Sequence, residues 1–205
     1  MTEAELAVPR VRVESDTLGY DGVFRLRRLT LRHRRFDGEF TPPLVREVFD
    51  RPQAVMVLPY DPVAERIVLV EQFRVGAYAA GHEAWMTELV AGMAEPGEAL
   101  DEVARRELVE ETGLQARHLE EFATFLPSPG ALSEKVTAFA ACVDIAGLAA
   151  FGGNPGEHED LRLHTWSVEE AAERLDNGSI DTAITLIGVA WLLRHRDRLN
   201  RAWRT

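Results

Sequence analysis

The stretch Gly92–Leu114, GMAEPGEALDEVARRELVEETGL, carries Glu98, Glu107, Glu110 and Glu111 around Arg106. Ala99–Thr112 reads as a helix: its residues form helices readily, it holds no internal Gly or Pro, and Gly113 stands where it should stop. At about 100° per residue, Leu100, Val103, Ala104 and Leu108 make one apolar face. Glu107 and Glu111 fall in the middle of that face, one turn apart, with Glu110 at its edge. Carboxylates are rarely buried unless they are paired or bound to metal, and crowded carboxylates stay ionised only beside a cation. Oxygen donors alone suit a hard ion such as Mg²⁺. On helix geometry alone a second reading stands beside this one, a solvated acidic helix with i,i+4 pairs such as Glu102–Arg106.

The loop before the helix, Gly92-Met93-Ala94-Glu95-Pro96-Gly97, holds glycines that let backbone approach a phosphate or turn a carbonyl toward a metal. Loop and helix together read Gly, five residues, Glu98, seven residues, then Arg106-Glu107-Leu108-x-Glu110-Glu111-x-Gly113-Leu114. This pattern resembles the Nudix box at every fixed position. The resemblance implies metal-dependent cleavage of a nucleoside diphosphate linked to another group. It implies that the Ala91 carbonyl, Glu107 and Glu111 bind the metal, and that Glu110 is a further ligand or support. Glu98 and Arg106 would brace loop against helix. The expected ion is Mg²⁺, with Mn²⁺ as a substitute.

The elements that position this stretch are legible in outline. Residues 1–53 read as a β-rich segment: a short strand at Val11–Val13, a turn at Gly19–Gly22, a strand from Phe24 to Arg32, a hairpin at Asp37-Gly38 and a strand from Leu44 to Phe49. The apolar alternation changes parity at Arg27-Arg28, where a β-bulge is expected. The arginines of this segment read chiefly as the wet face of an antiparallel sheet, with a phosphate-binding patch as the other reading. A sheet this small needs a partner surface. Residues 54–205 read as the main domain. Strands are expected at Ala54–Leu58, Arg66–Glu71, Trp85–Ala91, Leu119–Phe125, Lys135–Val143 and Leu161–Trp166, with Pro59–Pro62 as a connection and Gly147–Asp160 as a long loop. Helices are expected from Ser167 to Asn177 and from Thr182 to His195. The fold class is α/β, and the order fits the Nudix fold, a mixed sheet sandwiched between helices, with an added N-terminal antiparallel segment.

Composition excludes several classes. A formal charge of −11 over 205 residues argues against sequence-independent nucleic-acid binding, yet allows a small anionic substrate once a divalent ion reverses the local sign. No apolar run approaches a membrane span, and the N-terminus lacks the pattern of a secretory signal. One cysteine, Cys142, rules out an intrachain disulfide framework and fits a reducing cytoplasm; in its apolar run it reads as a buried, inert thiol. The histidines show no HxxxH-type spacing, and Ser128 and Ser133 lack an adjacent His/Asp pair, so a covalent serine mechanism has little support.

Beyond the box, Ser128-Pro129-Gly130, Ser133-Glu134, Gly156-Glu157-His158-Glu159-Asp160-Leu161 and the Ile180-Asp181-Thr182-Ala183 helix start follow in order. Together with the β-rich N-terminus, this order is similar to the bacterial ADP-ribose pyrophosphatase subfamily of Nudix hydrolases along nearly the whole chain. That resemblance implies a homodimer whose N-terminal segments are exchanged, so that both chains build each site. It implies Glu157 as the general base on a long loop and Glu159 as a further metal ligand; read without it, this is a wet acidic loop. Arg46 and Arg74 correspond to substrate arginines, although each also reads as a surface strand residue. Glu47, Met93, Ser128, Pro129, Gly130 and Glu134 would line the terminal ribose and diphosphate. Phe24 joins them as a substrate-binding residue, but Val23-Phe24 stands where the family often has paired aromatics, which leaves the adenine-stacking residue open. Ala131 replaces a usual glycine. The expected reaction converts ADP-ribose and water to AMP and ribose 5-phosphate. GDP-mannose or another nucleoside diphosphate sugar is the alternative substrate, and a non-catalytic nucleotide-sugar binding module the alternative from another class.

Overall fold

The computed structural model describes residues 9–204, which divide into two compact units: residues up to Pro52 with Leu126–Lys135, and Gln53–Phe125 with the chain from Val136 onward. The first unit therefore takes in residues 126–135 as well as the N-terminal segment. It holds β1 (Val11–Asp21), β2 (Arg25–His33) and β3 (Leu44–Asp50) in an antiparallel sheet of that order. β1 is longer than expected and runs through Gly19-Tyr20-Asp21; the turn comes at Gly22, whose N–H donates to the Phe24 carbonyl at 3.2 Å. The irregularities also lie elsewhere. β2 pairs with β3 without a break from Arg25↔Asp50 to Leu31↔Leu44, whereas β1 skips a residue at Glu14 and another at Gly19. The edge strand absorbs the mismatch because it has no second neighbour to satisfy. Asp37-Gly38 makes the expected turn, with Gly38 at φ +92° and the Asp37 carboxylate accepting from Glu39 N–H at 3.0 Å. Residues 131–133 lie along β3: Phe49 N–H donates to the Ala131 carbonyl at 2.7 Å, and Ser133 N–H to the Phe49 carbonyl at 3.1 Å.

The second unit is built on one mixed sheet. Its strands are β4 (Ala54–Asp61), β5 (Arg66–Phe73), β6 (Trp85–Glu88), β7 (Val90–Met93), β8 (His118–Phe125), β9 (Val136–Cys142), β10 (Phe151–Gly152) and β11 (Leu161–Ser167). The order is β10-β11-β5-β4-β9-β8, with β6 on β5 and β7 on β4, and β4–β9 is parallel. Its helices are α1 (Val75–Ala79), α2 (Leu100–Thr112), α3 (Val168–Asp176) and α4 (Ala183–Trp203). Alternate residues of the central strands go to opposite faces, as strand geometry requires. Val55, Val57, Val68, Val70, Phe139 and Ala141 pack with Val103, Ala104 and Leu108 of α2. Met56, Leu58, Ile67, Leu69, Ala138 and Ala140 pack on the other side with Ala171 of α3 and Val189, Leu192 and Leu199 of α4. The sheet is thus sandwiched between helices, the expected α/β arrangement.

Several boundaries differ from the sequence reading. β4 continues through Pro59 to Asp61, and the turn moves to residues 62–65. The expected strand Trp85–Ala91 is two strands broken at Leu89: β6 follows β5 and β7 crosses to β4. The N–H of Leu89, left outside both ladders, donates to Thr185 Oγ1 of α4 at 3.2 Å. α4 runs on to Trp203, since no Gly or Pro stops it and Leu199 and Trp203 continue its buried stripe. The long loop contains β10 and a short 3₁₀ turn at Pro155–Glu157. Ser167 caps α3 as expected, its hydroxyl accepting from Glu170 N–H at 3.0 Å.

Candidate active site

α2 places the carboxylates. It begins after Ala99 with Asp101 and Glu102 in the first turn, where negative charge favours the helix N-terminus, and ends at Gly113, φ +72°. Burial of Val103, Ala104 and Leu108 against the sheet carries Glu107 and Glu111 inward: Glu107 is 9% exposed and Glu111 1%. Among the described residues Glu111 Oε2 has no hydrogen-bond partner. Burial first, then the charges of Glu159 and Glu107, push the Glu111 carboxyl up to about 9, against the opposing pull of a backbone hydrogen bond from Ala91 and of the Arg74 charge. A carboxylate in that condition is held ionised only by added positive charge.

The loop before α2 closes around Glu107. A Cβ on Gly92 would stand 2.0 Å from Glu107 Oε1, so no other residue fits there without displacing the carboxylate. Glu98 Oε2 accepts from Glu95 N–H at 2.7 Å and ties the turn that Gly97, φ +92°, permits. Arg106 Nη1 lies 2.9 Å from Glu107 Oε1 and 3.2 Å from Glu110 Oε2, and Nη2 lies 3.8 Å from Glu98 Oε2. One guanidinium thus faces three of the acidic side chains singled out in the sequence.

The late loop reaches the end of the same helix. A Cβ on Gly152 would stand 1.8 Å from the Glu111 carbonyl, so β10 can lie against α2 only with glycine there. Gly153 (φ +101°) and His158 (φ +58°) bend the chain back, and Asn154 N–H donates to Glu159 Oε2 at 3.1 Å. Glu159 is thereby brought within electrostatic reach of Glu111. Glu157 ends the 3₁₀ turn, two residues before Glu159. Arg74 follows β5, and its Nε donates to Glu88 Oε2 at 2.5 Å. Glu88, 8% exposed, is a buried carboxylate that the sequence reading did not single out. Met93 closes β7 and is 44% exposed.

The remaining residues singled out in the sequence belong to the first unit. Glu134 is buried and pairs with Arg51 at 3.1 Å; the Arg51 guanidinium lies 4.5 Å over the Phe24 ring, which meets Phe49 edge-on at 5.3 Å. Ser133 Oγ donates to Asp50 Oδ1 at 2.7 Å and accepts from Arg51 N–H at 3.0 Å. Arg51 and Asp50 carried no pattern that marked them beforehand. Arg46 is exposed on β3 and turns back to its neighbour, Nη1 donating to the Val45 carbonyl at 2.8 Å. Glu47 is exposed beside it, and Ser128, Pro129 and Gly130 form an exposed turn that Leu132 N–H closes on the Ser128 carbonyl at 3.1 Å.

Among the described residues no three or more His, Cys, Asp or Glu side chains gather tightly enough to hold a metal ion by themselves. The site still fits a divalent ion of the hard, oxygen-seeking kind. Two buried carboxylates one helical turn apart, an oxygen without a partner and a glycine-cleared loop make a partial donor set, and Mg²⁺ commonly completes its shell with water and substrate phosphate.

Residues 50–184 match the model of the NUDIX domain. The chain is 39% identical over 184 residues to the ADP-ribose pyrophosphatase of Escherichia coli strain K12, covering 90% of this chain and 88% of that protein. It is 32% identical over 186 residues to the GDP-mannose pyrophosphatase of Cronobacter sakazakii, covering 90% and 94%. A crystal structure of an ADP compounds hydrolase has the same fold, with a TM-score of 0.70, 22% identity and coverage of 97% of this chain and 99% of that one. With the box carboxylates seated on the sheet-facing side of α2 and the match spanning well over half its length, the chain belongs to the Nudix family of hydrolases.

Proposed function

We propose that the protein hydrolyses the pyrophosphate of ADP-ribose to AMP and ribose 5-phosphate with the help of Mg²⁺, for which Mn²⁺ can substitute. The observation that carries this reading is the buried Glu107–Glu111 pair, one helical turn apart, with Glu107 against Gly92 and Glu111 Oε2 without a hydrogen-bond partner among the described residues. ADP-ribose is favoured over GDP-mannose by the higher identity, 39% against 32%, over the same share of the chain.

Glu107, Glu111 and the Ala91 carbonyl would hold the ion, with Glu110 and Glu159 as further donors. When bound, the ion supplies charge neutralisation at the diphosphate and an acidified water. Arg106 and Glu98 keep loop and helix in register around the carboxylates. Water oxygen bonds to one phosphorus as the bridging P–O bond breaks, and Glu157, on the long loop, takes the water proton. Arg74 binds phosphate through its guanidinium. Met93 would line the terminal ribose and diphosphate, and Phe24, Arg46, Glu47, Ser128, Pro129, Gly130 and Glu134 are the further residues expected to bind substrate.

We further infer a cytoplasmic homodimer in which residues 1–53 are exchanged between copies. β1 is exposed along all eleven residues, including Val11, Val13, Leu18 and Tyr20 at 51–65%, which supports a second chain as its cover. No helix is long and apolar enough to cross a membrane among the described residues.

A panel of nucleoside diphosphate sugars, read by phosphate release coupled to a phosphatase with and without Mg²⁺, tests the reading. ADP-ribose should give the highest kcat/KM, with turnover lost on chelation. A preference for GDP-mannose of about tenfold or more would move the assignment to that sugar, and metal-independent silence on every substrate would favour a binding module. Glu157→Gln should lower kcat by about 10²–10⁴ with KM nearly unchanged.

A further inference from the structure

Glu88 ends β6, opposite Val70 of β5. Register neighbours share a face of the sheet, and Val70 packs into the core beneath α2, so Glu88 occupies a place where an aliphatic side chain would extend that core. A carboxylate 8% exposed in such surroundings costs stability unless it is paired, and replacing a buried ion pair with apolar residues is often neutral or stabilising. The pair is asymmetric. The Glu88 side chain is 11% exposed and that of Arg74 41%, so the carboxylate is anchored inside while the guanidinium reaches outward.

Both ends of the pair are fixed by backbone. Arg74 N–H donates to the Ala84 carbonyl at 2.7 Å, and its own carbonyl accepts from Tyr78 N–H at 3.1 Å. Leu89, the residue after Glu88, is held through its N–H by Thr185, whose hydroxyl in turn accepts from Thr182 Oγ1 at 2.7 Å. Glu88 engages Nε alone, and among the described residues the two terminal nitrogens of Arg74 make no hydrogen bond. The Arg74 charge is felt at Glu111, so the guanidinium lies within electrostatic reach of that carboxyl.

We propose that Glu88 is the positioning residue for Arg74, holding Nε from below so that the terminal nitrogens are presented as a fixed fork to a phosphate of the substrate. This rests on the reading of Arg74 as a phosphate-binding residue. An arginine fixed in advance loses less side-chain freedom on binding, so the carboxylate acts on substrate affinity without touching substrate.

A double-mutant cycle with ADP-ribose and Mg²⁺ tests it, using Arg74→Ala, Glu88→Leu and the double variant, with Glu88→Gln in both backgrounds as the form that keeps an acceptor for Nε. Glu88→Leu should raise KM about tenfold with kcat changed less than about threefold, and Glu88→Gln should recover much of that loss. In the Arg74→Ala background neither Glu88 substitution should lower kcat/KM further. Equal losses in both backgrounds would show that Glu88 supports the fold rather than the arginine, and an unchanged KM in Glu88→Leu while Arg74→Ala is impaired would overturn the proposal alone. An unchanged KM in Arg74→Ala would instead overturn the phosphate-binding role of Arg74. Should Glu88→Leu fail to fold, Glu88→Ala takes its place in the same cycle: a rise in KM that disappears in the Arg74→Ala background supports the proposal, and an equal loss in both backgrounds or an unchanged KM overturns it.

Discussion

In the second unit, β4 is buried from Val55 through Asp61, whereas β1 in the first unit is exposed from end to end. The contrast extends to everything each strand neighbours. The second unit has an apolar cluster on either face of its sheet. In the first unit the buried side chains among the described residues are Thr41 and Glu134, both polar. Its strands are instead laced by exposed pairs such as Arg27–Asp16, Arg32–Glu14 and Arg25–Asp21. Such pairs, open to water and salt, contribute little, while a fully buried Val, Leu or Ile contributes roughly 1.5–3 kcal/mol. The second unit therefore has the surplus that offsets four buried carboxylates, Asp61, Glu88, Glu107 and Glu111, whereas the first has no comparable apolar burial among its described residues.

The change expected to have the largest effect removes one of those carboxylates. Glu111→Gln should cost about three orders of magnitude or more in kcat, because on the proposed function the ion would lose its most buried donor. In metal-free protein the same substitution should raise the unfolding free energy by roughly 1–3 kcal/mol, since an amide is cheaper to leave inside than a carboxyl with an unpartnered oxygen. Denaturant melts with chelator measure the second effect and initial rates with Mg²⁺ the first. Lower stability for metal-free Glu111→Gln would mean that the second unit carries no such strain, and the comparison of the two units would lose its basis.

How much of this was legible in the sequence follows the same division. α2 could be placed within a residue because its apolar positions recur at the helical period and Gly113 stops it, and the same periodicity set Glu107 and Glu111 in the buried stripe. Gly92 and its place in the loop were readable as a close approach, though not that the approaching group is Glu107. Glu88 escaped notice because one acid in a strand looks like the wet half of an alternation; only the register with Val70 shows which face it takes. The break at Leu89 depends on Thr185, 96 residues away, which no local pattern reveals. In the first unit the exposed strands gave turns but not register, since without a buried face nothing in the sequence fixes which side must point inward. The bulges at Glu14 and Gly19 are the result.

The first unit can be tested on its surface. Val13 and Leu18 are 56% and 51% exposed. If β1 is covered by a second chain, Val13→Glu with Leu18→Glu should shift sedimentation from dimer toward monomer and lower kcat/KM. The stability of metal-free monomer should then change by less than about 0.5 kcal/mol per site, because little burial is lost within one chain. An unaltered dimer would show that the strand is a free surface and that the first unit holds together by its ion pairs alone.

The smallest expected effect separates the two kinds of ion pair. Glu65, at the β4–β5 turn, accepts from Arg196 Nε at 3.1 Å and Asn200 Nδ2 at 2.9 Å and pairs with Arg204 at 2.8 Å, tying the turn to the last part of α4. The hydrogen bond from Arg196 is the chief reason its carboxyl lies below the ordinary 4.5. A depressed folded value means that the unfolded chain takes up a proton first as pH falls. The stabilisation is therefore complete well above pH 4.5 and is lost as pH drops through the lower folded value. Glu65→Gln should cost about 0.5–1 kcal/mol at pH 7, and the difference from the unaltered protein should shrink below pH 4.5. Asp16, paired with Arg27 on the open sheet, has a carboxyl lowered by the same kind of bond, and about 1 M salt screens such a pair over a few ångström. Salt should therefore erase the effect of Asp16→Asn on stability while leaving part of the Glu65→Gln effect in place. Equal sensitivity to salt at both positions would mean that α4 gives Glu65 no more shelter than an open sheet gives Asp16.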